Sequence, residues 1–175
     1  MFANTVEGAD AAFALLREAG PETVIEATRF PAVRYENLAV TGVSFLRCSF
    51  SKAEFSFVTF NGCHFNLCFF DFALFEHVIF KECTFSHSVF ASARFDSCSF
   101  EGSDLPLCNF NGVEARKSSF NDTDLEDARF INARLYESSF ENANCTRAFF
   151  QFSVREGVSF KYTNVEDAYF REGTG

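Results

Sequence analysis

Every fifth residue from Phe30 to Phe170 belongs to one series of mostly large side chains, and no insertion breaks the register. The series begins Phe30, Tyr35, Val40, Phe45, Phe50 and continues with Phe at every step to Phe100. Beyond that, Phe110, Phe120, Phe130, Phe140, Phe150, Phe160 and Phe170 alternate with Leu105, Ala115, Leu125, Leu135, Cys145, Arg155 and Val165. Two residues before each sits a second series, small or β-branched apart from Leu38, running from Cys48, Ala53, Val58 and Cys63 on to Ala168. A period of five matches neither the 3.6-residue repeat of a helix nor the two-residue repeat of a strand. It matches a solenoid of five-residue units, each turning one large and one small side chain inward. The two residues after each large one are turn-like. Pro106 takes the first of these places and Gly62, Gly102, Gly112 and Gly157 the second, the order favoured at the centre of a type II turn. A β-turn is therefore expected after nearly every large residue.

At 175 residues and 47% hydrophobic content, the chain has the length of one domain and ample material for a core. Of the 29 positions in the large series, 20 are Phe, so most of the 27 Phe are committed to internal columns. The residues before Thr28 stand outside the pattern. Glu7 to Ala19 reads as a short amphipathic helix with Ala9, Ala12, Phe13 and Leu16 on one face, and Gly20-Pro21 stops it. The expected organisation is a capping helix and linker over residues 1–27 and a β-helix over residues 28–175. The helix would cover the first turn, whose open end would otherwise expose apolar side chains and strand edges. The start of the chain lacks the basic segment and apolar run of a signal peptide. No stretch approaches the ~20 apolar residues of a membrane span. A cytoplasmic protein is expected.

Cys48, Cys63, Cys68, Cys83, Cys98 and Cys108 lie in the small inward series and Cys145 in the large one. Their spacing in multiples of five follows the core, so they read as small buried hydrophobes rather than as a disulfide framework or metal site. A net charge of −9 argues against nucleic acid or an anionic membrane as partner. His64, His77 and His87 fall on different sides of the helix. There is no phosphate loop, nucleophile elbow or His-Glu-x-x-His spacing, and a packed Phe column leaves no pocket. The expectation is no enzyme, no cofactor and no metal. Arg155 is the one charge in the inward series and must find a partner or reach water.

Repeats such as Arg47-Cys48-Ser49-Phe50, Glu82-Cys83-Thr84-Phe85, Ser97-Cys98-Ser99-Phe100 and Asn142-Ala143-Asn144-Cys145 resemble those of pentapeptide-repeat proteins. The match runs from about Thr28 to Phe170. It implies an all-β fold, a right-handed quadrilateral parallel β-helix of four pentapeptides per coil and about seven coils. The Cys-x-Phe repeats are most similar to the branch containing the quinolone-resistance (Qnr) proteins and other protectors of topoisomerases. That resemblance implies an acidic rod that imitates DNA and binds DNA gyrase or topoisomerase IV. The chain departs from the Qnr pattern in lacking projecting loops and an evident C-terminal dimerisation helix.

With twenty residues per coil, residues twenty apart stack. Asp104 and Asp124 then share a column continued by Asn144 and Asn164, while Glu126 aligns with Glu166 and Asp127 with Asp167. Glu101, Asp122 and Glu141 lie on the neighbouring face. Together these form an expected acidic binding side, interrupted by Arg147. Phe69, Phe72 and Leu74 fall outside the inward series, as do Phe149, Phe152 and Val154 four coils later, and both groups should point outward. Exposed aromatic clusters mark interfaces. The first is a candidate seat for the N-terminal helix. The second, with Tyr162 and Tyr169 nearby, is a candidate site for a homodimer through the C-terminal coils. Two functional readings follow: topoisomerase binding through the acidic side, or a scaffold that makes protein contacts through its aromatic faces.

Overall fold

The computed structural model describes residues 2–171. It is a parallel β-solenoid of about eight turns with one short helix at its start. Apart from the N-terminal pair Asn4–Thr5 with Thr28–Arg29, every pairing joins residues twenty apart, with Phe60 beside Phe80, Phe55 beside Phe75 and Phe75 beside Phe95. Each coil therefore holds four five-residue sides. The side running from Arg34–Glu36 to Val154–Glu156 is a seven-stranded sheet. Two other sides carry sheets of three and four strands, ending at Ile79–Lys81 and Thr84–Ser86 and continuing as isolated bridges. The fourth is held by bridges alone beyond its lowest strand pair, from Arg29 through Ser49, Phe69 and Val89 up to Tyr169.

The large series forms the core. Phe50, Phe70, Phe90, Phe110, Phe130 and Phe150 stack in one column with ring centroids 4.7–5.2 Å apart and planes within 6° of parallel. Rings of adjacent sides meet edge to face, as Phe80 does with Phe85 at 5.2 Å and 80°. Both arrangements suit the aromatic quadrupole. The coil count exceeds the expected seven because the ladder starts before the predicted boundary at residue 28. Val24–Glu26 already pairs with Ser44–Leu46, placing Ile25 beneath Phe45 in the inward series.

The helix α1, Ala9–Glu18, buries Ala12 and Leu16 and sets Phe13 against Tyr35 at 5.3 Å. It closes the lower end of the core, as expected of a lid. It does not sit on Phe69, Phe72 and Leu74, because its apolar face is spent on the open end. Phe2 reaches Phe69 instead, edge-on at 6.1 Å. Gly42, at φ +66°, permits the linker's close approach, since a Cβ there would lie 3.0 Å from Pro21 Cα.

The second residue after each large one lies in the left-handed region almost throughout, from Glu22 to Asp167. The hydrogen-bonded turn expected there closes after Phe50, Phe70 and Phe90 but is open after Phe65, Phe80 and others. At several open turns a side chain of the next coil takes up the turn's own polar groups. Ser88 Oγ accepts the N–H of Cys68 at 3.1 Å and donates to the carbonyl of Phe65 at 3.2 Å, the two groups that would have closed that turn. Ser103 does the same between Cys83 N–H and Phe80 carbonyl. The thiols of Cys68, Cys83, Cys98 and Cys108 likewise point at the carbonyls of Phe45, Phe60, Phe75 and Phe85, at 3.1–3.4 Å. Ala73 and Ala93, which carry no donor, lie over the closed turns after Phe50 and Phe70.

All seven cysteines are free and buried. Burial pushes the thiols of Cys98, Cys108 and Cys145 up to about 12. Native protein should resist a thiol reagent until it unfolds, because only a thiolate that the reagent can reach reacts and all seven sulfurs are buried. Rapid labelling of several thiols under native conditions would contradict this packing. The same shift carries a pH dependence. An unfolded Cys titrates near 9, so between that value and about 12 the folded chain holds more protons than the unfolded one. This contribution is complete below about pH 9 and is lost as the pH rises through the folded values, so the urea midpoint should fall at alkaline pH.

Arg155 enters the core region without stranding its charge. Its Nη1 donates to the Phe150 carbonyl at 3.0 Å and to Ser153 Oγ at 2.8 Å, and the guanidinium lies 5.3 Å from the Phe170 ring centre. Half-buried near the upper end, it is paired rather than desolvated alone.

Candidate functional site

A filled interior leaves function to the four sides, and each has its own chemistry. The seven-stranded side mixes signs. Arg34 bridges Glu36 and Glu76 at 3.3 and 3.6 Å, and Arg116 pairs with Glu114 at 2.9 Å while lying over Tyr136. These exposed pairs neutralise one another.

The predicted acidic residues do gather on two adjoining sides of the upper coils. Asp104, Asp124, Asn144 and Asn164 form one bridged column. Asn144 Nδ2 donates to Asp124 Oδ1 at 2.9 Å, so the column is an ordered ladder of oxygens and amides. Glu101, Asp122 and Glu141 lie around the corner, with Glu141 accepting from Ser159 Oγ at 2.6 Å. Glu166 and Asp167 are exposed at the top. Arg147 lies across the middle, pairing with Glu126 and with Asp127 at 2.8 Å. Its guanidinium holds the Asp127 carboxyl below the usual carboxylate range. The acidity is thus concentrated at Glu101, Asp104, Asp122 and Asp124, with a neutralised patch above.

The side bearing Phe69 and Phe149 is different again. Among its outward positions from Phe69 to Phe152, only Asp71 and Arg129 are charged. Phe69 and Phe72 are exposed in its lower part and Phe152 in its upper part, while Leu74 and Val154 are exposed just past the corner, on the seven-stranded side. Phe149 is half-buried under Tyr169, with rings 4.9 Å apart and 8° from parallel, and Arg129 approaches its other face at 5.7 Å. Tyr162 is 76% exposed but stands on the opposite corner of the coil, away from this group.

Phe72, Phe152 and Tyr162 sit at left-handed corners, with φ of 58–60°. Gly, Asn or Asp fits such a position, and a bulky side chain there costs on the order of 1 kcal/mol. Phe57, Leu67 and Leu107 occupy equivalent corners and are exposed, Phe57 stacking on His77 at 4.9 Å. Phe57 and Leu107 were not singled out from sequence, although their place two residues after the large series is the signal that finds them. The three histidines lie apart, and no group of three potential metal-binding side chains occurs among the described residues.

Such a rod of stacked pentapeptide coils defines the architectural class, and comparison supplies the family. The family model for pentapeptide repeats matches residues 39–66, 68–106 and 108–144 with eight copies. The chain belongs to the pentapeptide-repeat family. A trypsin-treated variant of QnrB1, a plasmid-mediated fluoroquinolone resistance protein, has 20% identity and a TM-score of 0.53, covering 87% of this chain and 79% of its own. HetL, a pentapeptide-repeat protein involved in heterocyst differentiation regulation in the cyanobacterium Nostoc sp. strain PCC 7120, has 9% identity and a TM-score of 0.49, covering 90% and 91%. The curated proteins include no match.

Proposed function

We propose that the chain is a non-enzymatic rod that binds another protein, and that its target is a type II topoisomerase, DNA gyrase or topoisomerase IV. The observation that carries this reading is the Asp104–Asp124 column with Glu101 and Asp122 beside it. In-register bridges set the two carboxylates of the column ~4.8 Å apart, somewhat wider than the ~3.4 Å axial charge spacing of one DNA strand. A net charge of −9 directs such a side toward the basic surface on which an enzyme holds DNA. The resistance role stated for QnrB1, which shares the fold, is consistent with the same target. A gyrase supercoiling assay with and without a topoisomerase poison tests it. The expected result is lower poison sensitivity, or inhibition at excess protein; no effect in either arm would refute topoisomerase binding.

The exposed apolar corners favour a second reading, a scaffold that makes its protein contacts through aromatic surface. Phe72 and Phe152 combine solvent exposure with an unfavourable backbone, and contact with a partner offsets the first of these costs. Self-association belongs to this reading, with Phe149, Phe152 and Tyr169 of the C-terminal coils in the contact of a homodimer.

A further inference from the structure

We infer that two copies of this chain pair side by side and antiparallel through the sparsely charged side bearing Phe69 and Phe149, with the lower aromatic group of each against the upper group of the other. This builds on the self-association put forward above and specifies its geometry. Its basis is a symmetry within the side itself. Cys68-Phe69-Phe70-Asp71-Phe72-Ala73-Leu74 and Ala148-Phe149-Phe150-Gln151-Phe152-Ser153-Val154 are parallel segments on the same side, four coils or ~19 Å apart. A two-fold axis lying in the interface, across both rods at the level of Asn109, brings each residue against one in its own column at the mirrored level. Phe69 then meets Phe149 and Phe72 meets Phe152, twice each by symmetry, as a closed isologous contact requires.

The rest of the side fits the same operation. On the axis, Asn109 and Asn111 each face their own counterpart; each Oδ1 accepts one backbone N–H within the chain, which leaves its second lone pair and the Nδ2 donors to pair across the axis. Leu107, 49% exposed at the edge of the side, also meets its own copy there. The small residues Ala91, Ser92 and Gly112 around the centre let the two flat sides approach. The charges fall well too. Asp71 faces Gln151, whose amide can donate to it, and Arg171, one coil above Gln151, comes near the same carboxylate. Arg129 faces Val89 and meets no like charge.

The contact spans about five coils, ~24 Å, by one side of the solenoid, on the order of 450 Å² per copy. That lies at the low end for specific interfaces and suits a dimer of micromolar strength.

Sedimentation equilibrium up to about 200 μM, with circular dichroism to verify folding, tests the geometry by charge exchange. Phe72→Lys and Phe152→Asp should each weaken the dimer at least about tenfold, and the double variant should return to within about threefold of the native constant. The rescue follows because each substituted residue faces the other across the interface. Asn109→Cys should cross-link to itself under mild oxidation, the seven native thiols being buried, while Ser119→Cys on another side should not. A dimer that Phe72→Lys leaves intact would place the contact at the C-terminal end and overturn this arrangement alone. A chain still monomeric at about 200 μM would overturn self-association altogether.

Discussion

Replacing Phe80 by Ala should destabilise the protein by about 3–5 kcal/mol, read as a lower urea midpoint with an unchanged slope. Phe80 is fully buried. Its ring lies between Phe60 at 5.2 Å and Phe100 at 4.7 Å, and meets Phe65, Phe75 and Phe85 edge to face. Removing it leaves a ring-sized gap inside a coil whose backbone is bonded above and below, so the walls cannot collapse and the cavity term is retained. It also interrupts a column in which each ring packs on two others. Phe72→Gly, on the outside, should be neutral or stabilise by up to about 1 kcal/mol, because glycine adopts its left-handed corner without strain. A loss below about 1 kcal/mol at Phe80 would show that the stacked rings do not hold the coils together.

The five-residue period made the core legible, because a solenoid converts one local rule into every long-range contact. Phe80 on Phe100 followed from register alone. The acidic and aromatic columns were legible for the same reason: once a coil is twenty residues, Asp104 must lie beneath Asp124. What escaped was whatever does not repeat. Val24–Glu26 joins the ladder although only Ile25 fits the inward series, since a strand edge recruits a neighbour through backbone groups that any sequence carries. Phe2 reaches Phe69 across a large sequence separation with no periodic signal. The side-chain bridges at open turns escaped because each joins residues of two coils. Ser88 engages the N–H of Cys68, twenty residues before it, and the carbonyl of Phe65. The neutralisation of Glu126 and Asp127 by Arg147 is a further such case, since column position does not tell which way a long side chain leans.

Reversing Asp104, Asp124 and Asp127 to Lys should abolish topoisomerase binding and leave the fold intact. Each reversal removes one negative charge and adds one positive, so the three take the net charge from −9 to −3. The positions are outward, and surface charge contacts contribute only about 0–1 kcal/mol each to stability. Asp124 loses its bond from Asn144 and Asp127 its pairing with Arg147, while no ring of the core is touched. Circular dichroism and the unfolding midpoint should therefore remain close to native. Attraction to a basic DNA-binding surface is set by the field of these carboxylates and would change sign locally. Native binding should also weaken as salt rises from about 50 to 300 mM, because the Debye length contracts to a few ångströms, comparable to the separations between exposed charges. The single reversal Asp104→Lys should cost more affinity than Asp127→Lys, since Arg147 already offsets the Asp127 charge. Equal losses at the two positions, or binding indifferent to salt, would mean that the acidic side is not the contact and that the aromatic sides make it instead.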